Sequence, residues 1–182
     1  MSRAKSIIFL SLLLIIVIAA VILLNRDDPI ARIKQEAQIC AKATVDGDFA
    51  TLLSHTQKRV VDLMGGKDAV VTGMTQALKQ LREQGIKYDH ITIGDPAPLQ
   101  KIGSLTVSLV PEEIVLKAEG GQMAMDSNML AFSEDSAKTW SFVDFSSLSA
   151  EQFFKIYPEL SGQFVFPEKS KPRVTQDKTV TQ

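Results

Sequence analysis

The chain reads as an α+β protein: an N-terminal transmembrane helix, then helices packed on a curved antiparallel sheet. Three observations predict this. Ile7 to Leu24 is an unbroken apolar run, IIFLSLLLIIVIAAVILL. From Ile30 to Leu81 apolar residues recur at threes and fours, and from Tyr88 to Phe145 the pattern becomes extended, with period-two alternation. Helices first and strands afterwards segregates the two kinds of element instead of interleaving them.

The eighteen residues of the apolar run extend about 27 Å as a helix, close to the hydrocarbon thickness of a bilayer. Lipid offers no water to backbone groups, so such a run is helical. Its one polar member, Ser11, can bond back within the helix. A cleaved signal peptide has a shorter core and a small-residue exit site. Here Ala19 and Ala20 sit inside the run with four apolar residues after them, so an uncleaved anchor is expected. Cys40 lies too far downstream, without a small-residue box, to be a lipoprotein cysteine. Arg3 and Lys5 precede the helix, while Arg26 follows it beside Asp27 and Asp28. The positive-inside rule then places the N-terminus in the cytoplasm and the domain outside, as in a single-pass protein of a bacterial inner membrane with a periplasmic domain. The expected organisation is a cytoplasmic N-terminus at 1–6, a membrane helix at 7–24, a linker at 25–29, an α+β domain at 30–166 and a disordered tail at 167–182.

Net charge is −1 and the pI about 6.1. No basic stripe is present, so nucleic acid is not an expected partner. One cysteine cannot close an internal disulfide, and one cysteine with two histidines is too few for a histidine-rich zinc site. No metal or cofactor is expected. The stretch from Pro167 to Gln182 is polar and cannot bury enough surface to offset ordering.

Asp28-Pro29 opens the first helix: a capping carboxylate, then a proline where no N–H is needed. Ile30, Ile33, Ala37, Cys40, Ala41 and Thr44 form its apolar stripe. Asp48 caps a second, short helix carrying Phe49, Leu52 and Leu53, and a third piece runs from Gln57 to Met64 before Gly65-Gly66. The longest helix starts near Lys67, with Val70, Val71, Met74, Ala77, Leu78 and Leu81, and Gly85 stands at its left-handed cap. This helix is expected to cover the concave face of the sheet. Tyr88 to Gly94 is a strand, turned by Asp95-Pro-Ala-Pro98. Leu105 to Val110 alternates, Pro111 marks an edge or bulge, and Ile114 to Glu119 resumes the extended pattern. Gly120-Gly121 is a hairpin signal leading into Met123 to Phe132. Trp140 to Phe145 is the last strand. Ser149 and Gln152 form a capping box, with Leu148 and Phe153 at staple positions, for a short helix to Tyr157.

The element order resembles the nuclear-transport-factor-2-like superfamily, the cone-shaped α+β fold of ketosteroid isomerases and polyketide cyclases. Locally, Val110-Pro111, Gly120-Gly121-Gln122 and Ser133 to Trp140 followed by Phe142-Val143-Asp144 resemble uncharacterised bacterial envelope proteins of that fold. The resemblance spans about residues 30 to 165 and implies a pocket between sheet and helix; it implies no activity, because that fold hosts enzymes, binders and scaffolds alike. Ser133, Asp135, Thr139 and Trp140 also resemble the Asp-box turn, S-x-D-x-G-x-T-W, with Ala137 in place of the glycine. A single copy reads as a structural turn, with Asp135 accepting backbone N–H groups and Trp140 packing beneath.

Among candidate chemical groups, Asp89 and His90 are neighbours on a strand, whose alternation points them to opposite faces. An Asp89 among Ile91 and Ile93 would have a raised pKa and act as a base; a solvated one is inert. Asp144 is a second acid candidate if it faces inward, with Tyr88 or Tyr157 as hydroxyl donor. His55 reads as a turn residue and Cys40 as a small buried hydrophobe. Met123, Met125 and Met129 share a face opposite Asp126 and Asn128, which suits a sheet with one wet side. They line either a core or an adaptable ligand pocket. No nucleophile-elbow, Walker, dinucleotide or H-E-x-x-H motif is present. The expectation is a membrane-anchored, non-catalytic binding module, its partner an envelope protein, a second copy or a small apolar ligand. The alternative is an isomerase- or cyclase-like enzyme.

Overall fold

The computed structural model describes residues 28–176. The apolar run Ile7–Leu24 lies outside the described residues; among those described, no helix is long and apolar enough to cross a membrane. Four helices come first: α1 (Pro29–Asp46), α2 (Phe49–His55), α3 (Lys58–Leu63) and α4 (Lys67–Glu83). Then come β1 (Lys87–Ile93), β2 (Gln100–Ile102), β3 (Leu105–Ala118), β4 (Gly121–Ser133) and β5 (Ser141–Asp144). Helix α5 (Ala150–Ile156), a 3-10 turn (Pro158–Leu160) and β6 (Arg173–Gln176) complete the described residues. The strands form one curled antiparallel sheet in the order β1-β3-β4-β5, with β2 on β3 and β6 on β4.

The caps form as the sequence indicates. Asp28 accepts from the Ile30 N–H and Asp48 from the Thr51 N–H. The Ser149–Gln152 capping box is closed in both directions. Gly47, in the left-handed region at φ 76°, ends α1. Its Ile33, Ala37, Cys40 and Ala41 stripe packs on Ile93, Val110, Met129, Ala131, Trp140 and Phe142. Alanines and a cysteine on this stripe keep side chains short and bring the helix axis close to the sheet.

The longest helix was expected to cover the sheet; α1 does so instead. Of α4 only Val70 is buried, against Leu53 and Val61 of the neighbouring short helices. Its stripe is real, but the glycine pair Gly65-Gly66 turns it onto α2 and α3, and α1 already occupies the sheet.

Two expected strands are one. β3 runs through Pro111 and pairs with β4 over thirteen successive rows. Proline is tolerated there because β1 ends opposite it. The Pro111 carbonyl accepts from the Gly94 N–H at 2.8 Å, so the side where its N–H would point is already past the β1 ladder. The short β2, turned by Gly103, was not anticipated from sequence; its three residues are too few for a periodic signal.

The sheet is not wet on one side throughout. On the face opposite α1, Val107, Leu130, Phe132 and Val143 are buried under Phe153, Tyr157, Leu160 and Phe164. Asp126 and Asn128 lie farther along that face, where Asp126 is exposed. Of the tail expected to be disordered at 167–182, residues 177–182 lie outside the described residues, and the described part is not wholly irregular. From Arg173 to Gln176 the chain adds an edge strand to Gly121–Ala124. Its low apolar content leaves all four residues exposed; backbone pairing and Arg173 ion pairs hold it, not burial.

The Ser133–Trp140 turn has the expected wiring. Asp135 accepts from the Lys138 and Thr139 N–H groups at 3.0 and 2.9 Å and from the Thr139 and Ser133 hydroxyls. Led by the Thr139 bonds, these hold its carboxyl well below the usual carboxylate range. Trp140 is buried against the α1 core. Ala137 occupies the left-handed region at φ 68°, where glycine has no penalty and alanine costs about 1 kcal/mol. Ala137→Gly should therefore stabilise the protein by up to about 1 kcal/mol, less whatever the lost methyl contributes against the α1 core, measured as a shift in urea midpoint at unchanged slope.

Candidate functional site

Strand register orders the α1 face of the sheet into rows. Tyr88, Leu116 and Met123 form the outermost; Ile91, Ile114 and Met125 the next; Ile93, Glu112 and Ser127 the third; Val110, Met129 and Asp144 the fourth. Tyr88 shares this face with Ile91 because of a bulge between Tyr88 and His90 that leaves Asp89 without a partner. Helix α1 packs over the third and fourth rows. Beyond them Tyr88, Ile91, Leu116, Met123 and Met125 are only half-buried.

Glu112 stands where the helix cover ends. It is 6 % exposed, and its Oε1 has no hydrogen-bond partner. Burial raises its pKa to about 9, assisted by the nearby Asp144 charge and hydrogen bond and opposed by Ser127. Its carboxyl therefore keeps its proton at neutral pH beside Asp144. Asp144 itself accepts from the Ser146 N–H at 2.6 Å and the Ser146 hydroxyl at 2.9 Å, which fixes its orientation. Tyr88 completes the group: burial, then Asp144, then Glu112 raise its pKa, so the phenol stays protonated. On the helix side Cys40 faces the same region. Burial, then Glu36, raise its thiol to about 12, with a smaller contribution from Glu112. The arrangement sets a protonated Glu112 beside Asp144 at the edge of an apolar surface, with the Tyr88 phenol farther out on the same face.

Of the sequence candidates, Asp144 lies beside Glu112, and Tyr88 stands farther out on the same face of the sheet. Met123 and Met125 flank the group, while Met129 is buried under α1. Asp89 is not part of it. The bulge breaks strict alternation, so Asp89 and His90 do not point apart as expected; they hydrogen-bond to each other at 2.9 Å on the exposed surface. Tyr157 lies on the opposite face, where its hydroxyl donates to Gln57 Oε1 at 3.1 Å. His55 sits 3.7 Å from Glu36 at the end of α2. Among the described residues no cluster has the composition of a metal site.

Glu112 does not stand out in the sequence because Pro111 signals an edge or bulge beside it. Carried through the proline, the period-two phase of Val110, Ile114 and Leu116 includes Glu112, an acid on the buried parity.

A neutral Glu112 gives stability a definite pH dependence. The unfolded side chain loses its proton near 4.5 and the folded one near 9. Between these values the folded state holds the extra proton, so stability falls as pH rises. Glu112→Gln keeps a neutral side chain of the same shape; its stability relative to the parent should increase steadily from pH 5 to pH 9 in thermal denaturation. A constant difference would show that Glu112 is ionised in the folded protein.

No protein-family model matches the chain, and neither the curated proteins nor the solved structures give a match.

Proposed function

We propose that this protein is a single-pass, membrane-anchored binding module of the bacterial envelope, non-catalytic, whose ligand or partner docks on the open end of the α1 face. The observation that carries this reading is the half-covered apolar surface of Tyr88, Ile91, Leu116, Met123 and Met125, with the Glu112–Asp144 pair at its inner end. Methionines adapt to irregular apolar partners, and a few polar groups at the end of an apolar surface fix orientation. The Ile7–Leu24 run supports the membrane address.

A second reading, an isomerase- or cyclase-like enzyme acting on a small apolar ligand, is favoured by one specific feature. A protonated Glu112 and the Tyr88 phenol could donate to a carbonyl while Asp144 accepts a proton. Asp144 is exposed and pinned by Ser146, a poorer position for a base than an apolar pocket, so binding is the leading reading.

After cell breakage the full-length chain should sediment with membranes and resist extraction at alkaline pH; recovery in the aqueous fraction would overturn the anchored reading. A photo-crosslinking residue at Met125 should give a discrete adduct in intact cells, and one at exposed Lys101 should not. Equal labelling from both positions would remove the α1 face as the binding surface.

A further inference from the structure

The outer edge of β4 is shared by two strands. β5 pairs with Met129–Phe132, and β6 pairs with Gly121–Ala124. The second stretch is shaped to take a strand. A Cβ on Gly121 would run into the Thr175 carbonyl, so only glycine admits the passing chain. It is also charged for one: Asp126 takes two N–H groups of Arg173, and Glu113, its register partner on β3, accepts a third contact at 2.6 Å. The Ser170 hydroxyl adds a bond to the Asp126 carbonyl at 2.8 Å.

What fills this edge is lightly held. None of Arg173–Gln176 is buried, and Val174 is 71 % exposed. Exposed ion pairs add little, and short unburied strands open readily. The stretch from Pro167 to Pro172 that leads to β6 has no regular structure and spans up to about 20 Å when extended.

We propose that the Gly121–Asp126 edge is an interaction surface for the 167–176 arm of a second copy of this chain, so that two molecules exchange arms. Every group that recognises the edge belongs to the arm itself: the strand backbone, the Arg173 guanidinium and the Ser170 hydroxyl. A second copy therefore brings the same backbone ladder and the same positive charge to the Glu113–Asp126 pair, and exchange forfeits no contact. The mode is strand addition at a sheet edge, with charge fixing the register.

The test uses full-length chains with two different tags, co-expressed, one with Gln122→Cys and the other with Thr175→Cys, positions opposite each other in the β4–β6 register. Both are on the exposed surface, so folding is not at risk. Native Cys40 is buried, and chains without the new cysteines give the background. Treatment with a short bis-maleimide should yield a product carrying both tags. Adding Arg173→Ala to the Thr175→Cys copy should lower its yield severalfold. Closure of a Gln122→Cys, Thr175→Cys double variant within one chain, with no dual-tag product from the mixture, would overturn the proposal, since the arm then stays home. So would linkage of Gln122→Cys to a different protein, which would give the edge another occupant.

Discussion

A mismatch of lengths governs this fold. The β3–β4 hairpin pairs over thirteen rows, and strands of that length extend more than 40 Å. Helix α1, at eighteen residues, reaches about 27 Å. One helix cannot cover such a hairpin. The sheet therefore meets α1 over part of one face and meets α5 and the chain after it at one end of the other. Two partial cores result, joined through the strands they share. The α1 core relies on small side chains for close approach; the other is aromatic, with Phe132 stacked on Tyr157 at 4.8 Å and Phe145 meeting Phe153 edge-on at 5.1 Å.

The place where cover stops is the chemically unusual part of the molecule. Rows under α1 bury Ile93, Val110 and Met129, whereas in the outer rows only Ile114 is buried. Glu112 lies on the boundary, desolvated enough to stay protonated and placed beside Asp144. A carboxyl in the middle of the core would have been neutral and sealed. One on the outer rows would have been ionised and ordinary. Its position sets a buried acid next to the exposed Asp144 at the inner end of the half-open apolar surface, which is the physical basis of the docking surface proposed above.

Legibility of the site followed from what local pattern can encode. Tyr88, Asp144, Met123 and Met125 were visible because residue type and parity mark them. Asp89 is solvated, the simpler of its two readings; only its alternation with His90 fails, because a bulge inserts one residue into β1 and nothing in Tyr88-Asp89-His90 announces it. Glu112 is hidden in the sequence because a proline in a strand ordinarily signals an edge. Here the neighbouring strand ends opposite Pro111, a fact of the sheet and not of the sequence. Composition marks the arm as unstructured because composition measures burial and β6 buries nothing; backbone pairing to a glycine-opened edge has no compositional signature.

The sequence by itself determined the class and the local elements: the helices with their aspartate and serine caps, the Gly120-Gly121 hairpin, and the Asp135-centred turn. These depend on contacts within a few residues, which a short stretch of chain specifies. Only the tertiary structure decided which helix covers the sheet, how far the cover reaches, that Glu112 is buried beside Asp144, and that residues 173–176 join β4. Each of these is a choice between surfaces distant along the chain. It is settled by whole-molecule competition for buried area and hydrogen bonds, which no local pattern records.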